Sequence, residues 1–265
     1  MTWRQVDRDE LLHHSARDPF VRFATSHELL AVAGPHGWAC VSPWRPGSRH
    51  WGGAAVVEAG APARAETDAL AAIVDAAGDE VALEWFSTED RRGLDLPEAY
   101  ASTGSGRWSF LWCEEETCAT VPAGLGELGL EVVELDDRED ADLLHAFGRT
   151  HGEDPYMGFP GHGFASLWLA VRDEVGRMVA VGALHELGSG MPHLAGIVVR
   201  PQRRGQGIGA MLTEALTARA VEEAGVATLS VFSDNVGAIR LYERLGYATA
   251  HRFHTRELDP AAVTA

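Results

Sequence analysis

The residues best placed to do chemistry run from Ile197 to Ala210, as Ile197-Val198-Val199-Arg200-Pro201-Gln202-Arg203-Arg204-Gly205-Gln206-Gly207-Ile208-Gly209-Ala210. An apolar strand feeds a basic, glycine-rich turn, which opens directly into an amphipathic helix. Gly205, Gly207 and Gly209 lack the β-carbons that would keep a ligand away from the backbone. Backbone amides at a helix N-terminus favour anions, so this loop is suited to a diphosphate. Arg203 and Arg204 supply positive charge within a chain of formal net charge −17. The same glycines also fit the dinucleotide pattern G-x-G-x-x-A, with Glu222 and Glu223 downstream where a ribose-binding acid would lie. Against that reading, Pro201 to Arg204 separate the strand from the glycines. The loop also lies too near the C-terminus for a second half of a dinucleotide fold.

Composition excludes other chemistries. The chain has no lysine, which removes Schiff-base catalysis and the P-loop lysine. Phosphate groups must be held by amides and arginine. No basic stripe suited to nucleic acid accompanies the acidic balance, so no nucleic-acid partner is expected. No apolar run is long enough for a membrane span and no signal-peptide core opens the chain, so a soluble, cytoplasmic protein is expected. Cys40, Cys113 and Cys118 are odd in number without CxxC spacing and are expected to be buried, inert thiols. His13-His14 and His251-x-x-His254 lack a supporting carboxylate pattern, so no metal site is expected.

The elements that must position the loop form an α/β series with a mixed sheet. A first domain over residues 1–120 reads as a helix at 6–15, strands at 38–42 and 54–57 flanking a turn at 43–53, a helix at 66–77, and strands at 80–86 and 107–114. The last of these puts Trp108, Phe110 and Trp112 on one face. No catalytic motif is legible in this half. Residues 121–129, rich in Gly and Pro, read as a linker. A second domain over 130–257 begins with a strand at 130–135, a helix at 137–147, and strands at 164–172, 178–187 and 193–199. It continues with a helix at 207–224 closed by Gly225, a strand at 227–232, a helix at 235–245 closed by Gly246, and a strand at 247–254. Residues 258–265 read as a tail.

The second domain resembles the GNAT N-acetyltransferase superfamily on two motifs. Arg204, Gly207 and Gly209 meet its [QR]-x-x-G-x-[GA] signature. Asn235, Ala238, Leu241, Tyr242, Gly246 and Tyr247 meet its N-x-x-A-x-x-[LF]-Y-x-x-x-G-[FY] signature. The first domain shares no such motif, but its pattern suggests a degenerate second copy.

The resemblance implies an acetyl-CoA-dependent N-acetyltransferase acting by direct attack of a primary amine, on a small molecule or peptide. The backbone of Ile197, Val198 and Val199 would hold the pantetheine arm. Arg204, Gly205, Gln206, Gly207, Ile208, Gly209 and Ala210 would hold the pyrophosphate. Asn235 and Ala238 would lie beside the pantetheine, although Asn235 also reads as an ordinary N-cap. Tyr242 would be the general acid; its neighbours equally suit a core tyrosine. The strand before the loop carries no acid, which leaves His193, His185, Glu186 or water as the base. Residues 151–163 would grip the acceptor or simply form a surface loop. The alternative to an enzyme is a non-catalytic acyl-CoA sensor. For the first domain three roles stay open: completing the acceptor pocket, forming a homodimer, or supporting folding.

Overall fold

The computed structural model describes residues 2–43, 48–78, 81–96, 100–118, 129–152 and 158–259. The first half supplies β1 (Arg4–Val6), α1 (Arg8–His14), α2 (Pro19–Phe23), β2 (Leu30–Gly34), β3 (Gly37–Pro43), β4 (Trp51–Val57), α3 (Ala65–Ala77), β5 (Leu83–Glu89) and β6 (Ala101–Glu114). The second supplies β7 (Glu131–Leu135), α4 (Ala141–His151), β8 (Ala165–Arg172), β9 (Met178–Glu186), β10 (Pro192–Val199), α5 (Ile208–Ala224), β11 (Val226–Phe232), α6 (Val236–Arg244) and β12 (Ala248–Asp259).

All twelve strands form one sheet, in the order β1-β2-β3-β4-β5-β12-β6-β11-β10-β9-β8-β7. That order is a palindrome of the two halves with their last strands exchanged. β12, from the second half, pairs with β5 of the first, and β6 pairs with β11 of the second. The two exchanged strands pair antiparallel with each other at the centre, from Ala248–Trp112 to Asp259–Ala101. Within each half one parallel pair, β4–β5 or β10–β11, interrupts an otherwise antiparallel order.

Helices cover both faces. Phe20, Val21 and Phe23 of α2 bury against Phe110 and Phe253 on one face, where α4 packs Leu144 and Phe147 onto Trp168, Val181 and Val198. On the other face, α3 buries Leu70 and Ile73 against Val41 and Leu83, and α5 buries Leu212 and Leu216 against Leu184 and Leu229. Burying large aliphatic side chains at about 25 cal/mol per Å² is the main force holding each helix to the sheet.

Several boundaries differ from the sequence reading. The helix placed at 137–147 starts at Ala141, because the Asp136 carboxylate accepts from the amides of Arg138 and Glu139 and folds an acidic turn ahead of it. The turn placed at 43–53 yields Trp51, Gly52 and Gly53 to β4. β6 begins at Ala101, and β12 runs to Asp259, so Leu258 and Asp259 are in the sheet rather than a tail. The proposed linker falls almost wholly outside the described residues. Cys113 and Cys118 are not free thiols: a turn after β6 brings their Cα atoms to 5.7 Å and they form a disulfide. Cys40 is free and buried, and burial pushes its thiol pKa up to about 12.

β12 is tied to the first half by a buried ionic cluster. His251 is 8% exposed; its Nε2 lies 2.7 Å from Asp18 Oδ2 at the N-cap of α2, and its Nδ1 lies 3.9 Å from Glu89 Oε1. Burial alone would lower its pKa, but the hydrogen bond to Asp18 and the negative charges of Asp18 and Glu89 outweigh that and raise it to about 9. A pKa above the ordinary 6.5 makes the cluster's contribution complete below about pH 6.5 and lost as pH rises through about 9. Urea denaturation should therefore show stability falling between those limits, by on the order of 2–4 kcal/mol. His251→Gln should be less stable at pH 6 and lose most of that slope.

Candidate functional site

The glycine-rich loop is held open to solvent at the end of β10. Arg200 N donates to Val179 O (2.8 Å), which fixes the strand end, and Pro201–Arg203 make one 3-10 turn. Gly205 and Gly207 have φ of 75° and 82°, the left-handed region that L side chains rarely adopt. Nothing lies within 4 Å of where a β-carbon on either would sit, so the space before these amides is clear. Gly207 is the N-cap of α5 and makes no side-chain cap bond, and the first turn carries no acid. The amides of Ile208, Gly209 and Ala210 therefore begin a seventeen-residue helix with an anion-favouring end.

The arginines frame this cradle. Arg204 Nε donates to Val199 O (3.2 Å) and Nη2 to His151 O (3.4 Å), tying the loop to β10 and α4. Arg203 Nε donates to Gln206 Oε1 (3.0 Å), and Gln206 Nε2 to Gln202 O (3.4 Å). Arg204 thus sets the loop's shape as well as its charge.

Beside the loop the sheet opens. Among the described residues β10 and β11 pair only at His193–Thr228 and Leu194–Leu229. Past Leu194, Gly196 takes φ 60° and the register with β9 shifts between Ala195 and Val198. This bulge turns β10 away from β11. The backbone of Ile197, Val198 and Val199 then flanks a gap between two parallel strands, leading to the glycine cradle. The corresponding place in the first half is closed: β4 and β5 stay paired from Trp51–Leu83 to Ala55–Thr88. There α3 carries Glu66 and Asp68 in its first turn, and Glu66 is buried and paired with Arg92. Both features oppose a phosphate.

The other sequence-derived residues lie at α6, on strands β9 and β10, and in the segment that follows α4. Asn235 caps α6, its Oδ1 accepting from Ala238 N (3.1 Å). Tyr242, 8% exposed, packs with Leu194, Leu229 and Val231 on the α5 face and meets the ring of Tyr247 at 5.9 Å. Burial raises its pKa to about 12, so it keeps its proton at neutral pH and has one to donate. His193 is on the opposite face: Nδ1 lies 3.0 Å from Thr228 Oγ1, and the ring stacks on Phe110 at 6.4 Å and 8°. The alternatives for a base separate clearly. His185 is buried with Nε2 donating to Gly158 O (2.8 Å), a structural tie, and Glu186 is exposed at the strand end. In the segment 151–163, residues 153–157 lie outside the described residues. Its remainder is anchored by Asp137, which accepts from Gly163 N and Trp168 Nε1. Phe110 and Thr228 were not legible as site residues, since neither belongs to a motif.

Among the described residues no group of three or more His, Cys, Asp or Glu is placed to hold a metal. No described helix is long and apolar enough to cross a membrane.

Comparison with known proteins decides the family of this site. The family model described as acetyltransferase (GNAT) family matches residues 132–247. That segment is a GNAT domain. It includes the cradle, the gap, Asn235 and Tyr242. Among solved structures, a GNAT-family protein from Novosphingobium aromaticivorans is similar at a TM-score of 0.52 and 18% identity, covering 93% of this chain and 95% of that one. A Drosophila protein gives a TM-score of 0.54 at 14% identity, covering 96% of this chain and 86% of the other. At these identities the likeness is one of fold. Its coverage extends it to the first half, which is GNAT-like in structure without the loop.

The loop's backbone makes a stability prediction. Gly205→Ala and Gly207→Ala should each destabilise the protein by roughly 1–2 kcal/mol, the cost of an L side chain in the left-handed region. Gly209→Ala, whose β-carbon would meet Val199 Cγ2 at an ordinary 3.4 Å, should cost much less in the same denaturation experiment.

Proposed function

We propose that this protein is an acetyl-CoA-dependent N-acetyltransferase whose acceptor is a primary amine of a small molecule or peptide. The observation that carries this reading is the continuity of the β10–β11 gap with the amide cradle at Gly205 to Ala210. One channel thereby offers strand-edge backbone to an amide-bearing arm and helix-end amides to a diphosphate. The cradle fits such a group, because a β-carbon at Gly205 or Gly207 would project into its clear space.

Bound there, acetyl-CoA would supply an activated acyl carbon. Gly196 to Val199 orient it by backbone hydrogen bonding, and Asn235 and Ala238 border the arm from the start of α6. Tyr242, holding its proton, donates to the departing thiolate as general acid. His193, across the sheet from it, takes the proton released by the attacking amine. An acid and a base on opposite faces of the same two strands match a direct transfer, in which the C–N bond forms on one side as the C–S bond breaks on the other. The acidic balance of the chain favours a cationic amine.

Calorimetric titration with acetyl-CoA, CoA, NAD and NADP tests the ligand. Binding of the two coenzyme A species and not the dinucleotides is expected; the reverse sinks the reading. Tyr242→Phe should lower turnover at least about 100-fold with little change in CoA affinity. Binding without turnover in the wild type, across amines of several classes, would instead identify an acyl-CoA sensor.

A further inference from the structure

The face of the sheet that carries His193 is covered from two sides and left bare between them. In the first half, α2 lies over Phe110 of β6 and Phe253 of β12; in the second, α4 lies over Trp168, Val181 and Val198 of β8 to β10. β11 runs between these two covers. Its residues Thr228, Ser230 and Phe232 point to this face, because strand side chains alternate and Thr228 meets His193 there. Thr228 is fully buried, Ser230 is exposed and Phe232 is 61% exposed. The bare strip is therefore a cleft that opens along β11. At its closed end the turn into β10 is fastened to α2, where Ser189 Oγ donates to Phe23 O at 2.5 Å and Gly188 lies beside Ser26.

The open end is aromatic. Phe232 is the register partner of Trp108 on β6, which places the two side chains next to one another. Trp108 is held in place: Nε1 donates to Thr255 Oγ1 at 2.7 Å, and its ring packs on Phe253 at 5.0 Å and Phe20 at 6.5 Å. Of the four large hydrophobics exposed among the described residues, two, Phe232 and Val236, lie at the end of β11 and the start of α6. That is also the mouth of the gap, since Ser230 and Phe232 lie beyond Leu229, where the described pairing of β11 with β10 ends. Neither β10 nor β11 carries a carboxylate.

We propose that this cleft is the acceptor site and that Phe232, backed by Trp108, determines its specificity: the acceptor is an amine borne on an aromatic, uncharged body. This rests on the N-acetyltransferase reading and names its substrate class. The amine reaches past Ser230 toward His193, while the acceptor's ring packs on Phe232 and takes from water a surface that is otherwise wet. A polyamine would bring a second charge to strands that have no acid to meet it. An amino sugar would bring hydroxyls to an aromatic wall.

Calorimetric titration of phenethylamine, spermidine and glucosamine into the full chain, with and without saturating CoA, tests this without needing turnover. Phenethylamine should bind at least about tenfold more tightly than the other two. Phe232→Ser should weaken it about tenfold and leave CoA affinity little changed, because the arm is held by backbone. Phe232→Leu, which keeps an apolar side chain, should fall between. Phe232 is exposed, so neither variant removes a core contact. In turnover, the Phe232→Ser effect should appear in KM for phenethylamine and not in KM for acetyl-CoA. Tighter binding of spermidine or glucosamine, no binding of phenethylamine in either state, or a Phe232→Ser affinity equal to wild type overturns the proposal. A protein that binds phenethylamine through Phe232 but binds no CoA would instead refute the acetyltransferase reading and leave the cleft's ligand class standing.

Discussion

The antiparallel pairing of β6 with β12 is the interaction on which the rest of the molecule depends. Each strand comes at the end of its own half, and each is inserted beside the fifth strand of the other half. Neither half has a complete sheet of its own: β11 needs β6 as its neighbour, and β5 needs β12. Separating the halves would expose two sets of ladder bonds and split the aromatic core in which Phe20, Phe110 and Phe253 meet. Breaking so many backbone hydrogen bonds at once is costly in a buried sheet, so the two units form one cooperative body. The His251–Asp18–Glu89 cluster adds a charged fastening at the same seam.

On this symmetric frame the two halves diverge at the end of their fourth strand and the start of the helix that follows. In the second half a bulge at Gly196 opens β10 from β11, and a glycine loop leads into an uncapped helix without acids at its start. In the first half the equivalent strands stay paired, and the equivalent helix starts with two acids. The first half is thus GNAT-like in architecture while lacking the features that suit a phosphate-bearing ligand. What it contributes instead is structural support: strand β6 paired alongside β11, and Phe110 stacked on His193.

What was legible in the sequence follows from how local each feature is. The loop 197–210 could be read because strand, glycines and helix are contiguous, and α6 because its cap Asn235 and its closing Gly246 are nearby in sequence. The start of β6 could not: Ala101-Ser102-Thr103-Gly104-Ser105-Gly106 has the composition of a turn, and it is a strand only because residues 255–259 of β12 pair with it. β1, β2 and α2 were missed because they are short, although Asp18-Pro19 is a recognisable helix start. The disulfide was missed because odd cysteine counts do not forbid one pair. His193 was identified only by proximity to the loop. Its partners are distant in sequence, Thr228 brought to it by the β10–β11 pairing and Phe110 by the exchanged strand β6, so no spacing announces them.

Hydrogen exchange measured with and without acetyl-CoA tests most directly the claim that one of two structurally similar halves carries the site. The account predicts added protection at residues 196–210 and at the start of α6, with none at residues 57–68, the equivalent turn of the first half. Protection at 57–68 equal to that at 196–210, or no change at 196–210 under saturating acetyl-CoA, would contradict it.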